Sequence, residues 1–394
     1  MSVLTTSSRA GTAADAVAGV APREVVAPRG VPELAQALQA ATAQGRTVVP
    51  VGAATKTGWA APPSSCDLLV TTTGLDRIVE YSPGDLVVVA EAGVRLETLQ
   101  TELAQSGQML ALDPGEKGAT LGGVVSANAS GPRRLRYGTV RDLLIGVTVV
   151  LADGSIASAG GKVVKNVAGY DLGKLYTGAH GSLGVVVSTT WRLHPLPPDR
   201  AVVVVDVRDA AEAGHFAQQI NGSTLTPTAC ELALVDGSLT LVVLFEAISE
   251  SVAHQSAALV DLLGTGSVVE SLPQWFGQRP GGKQELVLRL AYEPAALPVV
   301  LSALPRPASV IASACTGVAY VAVAAEQGAA ALPGLRAALA PVDGTAVVLH
   351  APESVRGHVD HWGPVGDALA LMRSVKDRFD PDRLLSPARF VGGL

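Results

Sequence analysis

Cysteine is scarce in this chain: three in 394 residues, at positions 66, 230 and 315, with no Cys-x-x-Cys pair. That spacing argues against an iron–sulfur or structural zinc site built by this chain alone, so no metal is expected. It suits a reducing compartment with buried, inert thiols. Charge is scarce too. Only 16% of residues are Asp, Glu, Lys or Arg, and the net charge is −6. Nucleic-acid binding needs clustered positive charge and is disfavoured. One short basic cluster, Arg133-Arg134-Leu-Arg136, reads equally as a solvated turn and as a group near a phosphate or a partner. No apolar run is long enough to span a bilayer, and the Ala-, Thr- and Ser-rich first twenty residues lack the apolar core of a signal peptide. The expectation is a cytoplasmic protein with no integral membrane segment, peripheral at the inner face of the membrane only through a larger complex. Aromatics make up 4%, and Trp275 and Trp362 are expected to fill core or interface space.

Glycine is abundant, at 42 residues, and its distribution is informative. Between Asp113 and Pro195 it recurs beside Thr, Ser, Asn and Lys, most densely in Asp113-Pro-Gly-Glu-Lys-Gly-Ala-Thr-Leu-Gly-Gly-Val-Val-Ser-Ala-Asn-Ala-Ser-Gly131. Such a loop lets backbone N–H groups converge on an anion without Cβ atoms in the way. The small and apolar residues after Gly123 can start a helix whose positive end faces the same point. A second loop lies upstream, Val49-Pro-Val-Gly-Ala-Ala-Thr-Lys-Thr-Gly58. It is not a Walker loop, because Lys56 precedes Gly58, and neither loop contains GxGxxG. Together with Gly161–Val187, the two loops suit the pyrophosphate of a large dinucleotide held at several points.

With 48% hydrophobic residues, the chain is long enough for two domains. Residues 1–22 read as a disordered tail. Pro32–Gln44 reads as a helix that stops at Gly45. Strands are expected at 47–51, 68–72, 77–81, 86–91, 145–151 and 185–193, with a helix near 96–105 and a hairpin turn at Asp153-Gly154. His194-Pro-Leu-Pro-Pro198 closes a first domain over 23–197. Residues 198–361, with strands at 201–207, 240–247 and 286–291 among Ala-rich helices, read as a small α+β domain. Residues 362–394, with a helix at 365–379, form a tail that packs back on the first domain.

Several elements occur in order: Pro50-Val-Gly-Ala-Ala-Thr-Lys56, Ala119-Thr-Leu-Gly-Gly-Val-Val-Ser-Ala-Asn128, Arg136-Tyr-Gly138, Asp142-Leu-Leu-Ile-Gly146, Ala152-Asp-Gly154 and Lys165-Asn-Val-Ala-Gly-Tyr-Asp-Leu172. Leu175-Tyr-Thr-Gly-Ala-His-Gly-Ser-Leu-Gly-Val185 and Met372–Pro381 follow. They resemble the FAD-binding oxidases of the vanillyl-alcohol oxidase and p-cresol methylhydroxylase type, most of all the FAD-binding subunits of bacterial glycolate oxidase. The resemblance covers residues 25–195 and the last thirty.

The resemblance implies an α+β fold: two subdomains clasping FAD, then a smaller α+β cap. Residues matching the FAD loops are Pro50, Gly52, Ala53, Ala54, Thr55, Lys56, Pro114, Thr120, Gly122, Gly123, Ser126, Asn128, Gly131, Gly184 and Val186. Backbone amides near Gly52 and Gly122 would hold the pyrophosphate, and Lys56 or Lys165 would offset negative charge. Relatives commonly carry glycine where this chain has Ala53 and Ala54, and Asn-Pro-Gly-Arg where it has Leu385-Ser-Pro-Ala-Arg389. Some attach FAD through a histidine in or near the first loop; none stands there, so FAD is expected to be non-covalent.

The HxGDGNxH-like and EHGxG-like stretches of the catalytic relatives are missing, and no base is identified. His215, His254 and His350 are isolated. His358 and His361 have the spacing of a surface helix, with a metal site as the competing reading. His180, between glycines, reads as a turn residue or as a neighbour of the flavin. The resemblance therefore implies a FAD-binding subunit of a 2-hydroxy acid oxidase complex, partnered by a catalytic flavoprotein subunit and an iron–sulfur subunit. A stand-alone FAD-dependent dehydrogenase and a scaffold subunit that has lost FAD are the alternatives.

Overall fold

In the computed structural model, which describes residues 7–162 and 170–394, the first sheet is built from β1 (Ser8–Ala10), β2 (Glu24–Val26), β3 (Val48–Val51) and β4 (Leu68–Thr71), in the order β1-β2-β4-β3. Both pairings of β4 are parallel, so β2 and β3 need a crossover. Helix α1 (Val31–Ala43) supplies it, burying Leu34, Leu38 and Ala41 along one stripe. Ser8–Ala10 was expected in a disordered tail, and this expectation fails for residues 7–22. β1 pairs antiparallel with β2, and Val17 is buried against Val25, Val49, Cys66 and Leu69. The polar composition hid this because the segment needs only one valine and an open sheet edge to become ordered. Most of the Lys165–Leu172 block, Lys165 included, lies outside the described residues.

The chain then forms β5 (Ile78–Ser82), β6 (Val87–Glu91), β7 (Gln108–Met109), β8 (Leu144–Val150), β9 (Ile156–Gly160), β10 (Val185–Arg192) and β11 (His194–Pro195). Five of them make an antiparallel sheet in the order β5-β6-β10-β8-β9, while β7 pairs with β11. Helices α2 (Leu96–Ala104) and α3 (Leu121–Ala127) contribute Leu99, Leu103, Leu121, Val124 and Val125 to its core, around the buried Trp191. As expected, the β8–β9 turn carries Gly154 at φ +84°, with Asp153 accepting the Ser155 amide at 2.8 Å.

The cap is an eight-stranded antiparallel sheet of β12 (Asp199–Val207), β13 (Ala229–Val235), β14 (Ser238–Ala247), β15 (Ser267–Val269), β16 (Glu285–Ala291), β17 (Ser309–Ser313), β18 (Val318–Ala324) and β19 (Thr345–His350). Its order is β15-β12-β14-β13-β17-β18-β16-β19. Expected as the smaller unit, the cap nevertheless holds the largest sheet. Strand alternation splits its faces. Val203, Val205 and Val207 join the large core, whereas Val287, Val318, Tyr320 and Ala322 meet Trp59 of the first glycine loop.

Two devices lock the parts together. In the basic cluster, Arg133 and Arg136 do not form a solvated turn but clasp the cap. Arg133 grips the buried Glu246 carboxylate at 2.7 and 3.2 Å, and Arg136 donates to the Glu246 carbonyl at 2.7 Å. At the other end, the helix Ala368–Phe379 lies against the first domain through Lys376. Its buried ammonium donates to Ser182 O (2.7 Å), Asp380 Oδ2 (2.6 Å) and Leu385 O (2.9 Å). Leu385 continues the sheet as a parallel bridge beside Val48.

Candidate cofactor site

Strand β3 ends at Val51, and the chain leaves the sheet directly in front of the start of α3. The two meet so closely that a Cβ on Gly52 would sit 2.1 Å from Thr120 Oγ1. The space between them is an open cleft. Pro50, Gly52, Ala53, Ala54, Thr55 and Lys56 line one side; Thr120, Gly122, Gly123, Ser126, Gly184 and Val186 line the other. His180, Gly181 and Arg389 complete it.

The remaining candidates fall outside this cleft. Gly131 packs on the backbone of residue 113, where a Cβ would lie 1.8 Å from Asp113 O, and it faces a second, smaller pocket. Asn128 ends α3 at φ +47°, its Oδ1 buried without a partner among the described residues. Pro114 is half-buried between Asp113 and the residues lining that second pocket.

The cleft fits a large polar ligand. Thr120 Oγ1 and Arg389 Nη1 are buried with no hydrogen-bond partner among the described residues, as is Ser386 Oγ beside Gly181. An orphaned buried group costs about 1–3 kcal/mol, so a ligand rich in donors and acceptors offsets several such penalties at once. One expected donor is unavailable. The Gly122 amide bonds to Ala92 O at 2.8 Å, and Leu121 bonds to Val94 O at 2.9 Å, because the start of α3 is tied to the turn after β6. The amides of Gly123 and of Gly52 to Thr55 have no backbone acceptor among the described residues.

Electrostatics divides the lining residues. Lys56 faces Glu116 at 3.7 Å with its side chain 7% exposed, and burial pulls its ammonium below the ordinary lysine value. Burial likewise pulls the Arg389 guanidinium down to about 10; it donates to Trp59 O at 2.6 Å. The turn reading of His180 holds. It occupies a turn at φ +51° and lines the cleft, edge-on to Trp362 with centroids 5.6 Å apart. Burial, helped by the Arg389 charge, lowers its imidazole to about 3, so the ring is neutral. Arg389 was missed from sequence; its signal was its place in the C-terminal block that resembles the family's Asn-Pro-Gly-Arg.

Residues 22–160 match the family described as FAD binding domain, and residues 360–390 match the C-terminal domain of FAD linked oxidases. The chain thus carries a FAD-binding domain and a segment similar to the C-terminal domain of FAD linked oxidases. Its cofactor is FAD. Similar curated proteins include the glycolate oxidase subunit GlcD of Bacillus subtilis, 30% identical over 211 residues, covering 53% of this chain and 45% of that one. The glycolate oxidase subunit GlcE of Escherichia coli is 42% identical over 122 residues, 30% of this chain and 35% of that one. A D-lactate dehydrogenase of Archaeoglobus fulgidus is 34% identical over 191 residues, 47% and 43% of the two chains. The chain thus matches less than half the length of each of these relatives. Among solved structures, alkyldihydroxyacetonephosphate synthase superposes with a TM-score of 0.70 at 16% identity, covering 94% of this chain and 78% of that one, which shows the fold.

The expected surface helix at His358 and His361 does not form. Pro352 opens a helix of four residues, Glu353–Arg356, and Gly357 closes it. His361 is buried, its Nδ1 3.2 Å from Val359 O, and burial lowers its pKa. Among the described residues no group of three or more His, Cys, Asp or Glu is placed to hold a metal, and no helix is long and apolar enough to cross a membrane.

The first loop carries a measurable strain. Ala54 sits at φ +59°, the left-handed region that costs a residue with a Cβ about 1–2 kcal/mol. Ala54→Gly relieves it, partly offset by the looser unfolded chain. The expected result is tighter FAD binding with equal or slightly higher thermal stability, read by flavin titration and calorimetry; weaker FAD binding would contradict the strained-loop account.

Proposed function

We propose that this chain is the non-covalent FAD-binding subunit of a glycolate or related 2-hydroxy acid oxidase complex, in the cytoplasm or peripheral at the inner face of the membrane. Its partners would be a catalytic flavoprotein subunit and an iron–sulfur subunit. The observation that carries the reading is the cleft itself, where Thr120 Oγ1 and Arg389 Nη1 stand buried with no partner among the described residues, opposite the first glycine loop. Support comes from the 42% identity to the GlcE segment and from the three widely spaced cysteines, which leave electrons to be passed to another subunit.

Bound FAD would supply the two-electron redox step. The chain's own part is to hold and orient it. The amides of Gly52–Thr55 and Gly123 would donate to the diphosphate, Thr120 and Ser126 would add hydroxyls, and Arg389 would place positive charge at the wall. Neutral His180 would shape the cleft without adding charge.

The test is a visible spectrum of purified protein, repeated on the supernatant after acid precipitation, then with glycolate added. Flavin released by acid is expected. Bleaching by glycolate in the isolated chain would shift the reading to a stand-alone dehydrogenase. A folded sample colourless even after incubation with FAD would leave a scaffold.

A further inference from the structure

Where the two glycine segments meet the cap, one carboxylate faces two cations. Glu116 stands in the second segment with its side chain 14% exposed. Its Oε1 accepts from Arg279 Nε of the cap, and its Oε2 faces Lys56 Nζ of the first loop at 3.7 Å. That distance is too long for a hydrogen bond, and Oε2 is buried with no hydrogen-bond partner among the described residues. Lys56 lines the cofactor cleft, and among the described residues Glu116 is the one carboxylate it pairs with.

The backbone brings these three side chains together. Arg279 lies on the chain between β15 and β16, two residues after Gly277 at φ +72°. A Cβ on Gly115 would sit 2.6 Å from Gly277 O, so the segment carrying Glu116 and the turn carrying Arg279 are in direct contact. The guanidinium of Arg279 is 4.1 Å from the Tyr320 ring centroid and 4.7 Å from that of Trp59. Trp59 in turn belongs to the first loop, where its amide donates to Lys56 O at 3.0 Å. Charge is contested at this junction. Burial is the largest influence on the Lys56 ammonium and lowers it; Glu116 opposes that loss and Arg279 adds to it. Such contacts are stronger here than in water, because little solvent screens them.

We propose that Glu116 is a positioning residue for the cofactor loop, holding the Lys56 ammonium at the wall of the cleft, and that Arg279 of the cap competes with Lys56 for the same carboxylate. That FAD occupies this cleft is the reading above, on which this role rests. Cap docking and FAD affinity are therefore coupled through one side chain, although neither Glu116 nor Arg279 lines the cleft.

The test measures FAD affinity of the full chain by flavin fluorescence titration from about pH 6 to about pH 9.5, where a lysine lowered by burial loses its proton. Glu116→Gln removes the charge that retains the proton, so affinity should fall at lower pH than in wild type, leaving FAD about tenfold weaker at the alkaline end. At the acidic end the same variant should bind FAD as tightly as wild type or tighter, because the Lys56 charge is then uncompensated. Arg279→Gln frees the carboxylate for Lys56, so its fall should come no earlier than in wild type. Lys56→Gln should bind FAD more weakly with a flat profile, and adding Glu116→Gln to it should change nothing further. If Glu116→Gln fails to fold, Glu116→Asp draws the charge back by one methylene and should show the same shift in smaller measure. Equal weakening at every pH, an unshifted profile in the Glu116 variants, or an earlier fall in Arg279→Gln would each overturn the assignment. Lys56→Gln binding FAD with wild-type affinity at every pH would remove the cleft reading itself, and this role with it.

Discussion

Lys376→Met is expected to destabilise the protein by about 3–5 kcal/mol, because it leaves a carboxylate buried without its counter-charge. Asp380 is 0% exposed; besides Lys376 it accepts the amides of Leu384 and Leu385 at 3.1 and 2.8 Å. The lysine also satisfies two carbonyls, Ser182 O and Leu385 O, which the variant orphans. The damage should not stay local. Leu385 is bridged to β3, and the segment it anchors delivers Ser386 and Arg389 to the cofactor cleft. Urea unfolding followed by circular dichroism and flavin fluorescence should show a lower midpoint and earlier flavin release. Two transitions unchanged from wild type would show that the ion pair does not hold the tail.

Gly52→Ala is expected to weaken FAD binding about tenfold or more while the fold persists. The new methyl group would lie 2.1 Å from Thr120 Oγ1, an overlap costing about 1–3 kcal/mol once the loop or Thr120 moves. A double-mutant cycle sharpens the claim. Thr120→Ala removes the struck atom, so the double variant should bind FAD no worse than Thr120→Ala alone. Additive losses, measured by flavin titration, would place the effect in the loop's flexibility rather than in this contact.

The sheets were legible because their strands bring their own punctuation. β3 runs into a glycine loop, β8 ends at Asp153-Gly154, and α1 carries proline at its start and glycine after its end. What sequence reading missed depends on contacts distant along the chain. Ser8–Ala10 looks disordered until β2 offers an edge, and the role of Arg133 and Arg136 stays open until Glu246 arrives from the cap. Gly122 carried the right residue type but the wrong role, since its amide is taken by Ala92. Cys230 and Cys315, far apart in sequence, share the cap core, where the neighbouring Cys315 and burial raise the Cys230 thiol well above the ordinary value.

The bond from Arg389 to Trp59 O joins residues 330 positions apart. One wall of the cleft is thus synthesised some 330 residues before the other. At roughly 5–20 residues per second, a nascent chain carries an open, half-lined cleft for about 15–65 seconds before its last arginine can reach it. Cofactor loading is in this sense a late event in the life of the chain, and any defect that slows the tail's docking lengthens the interval during which the glycine loops stand without a ligand or a lid.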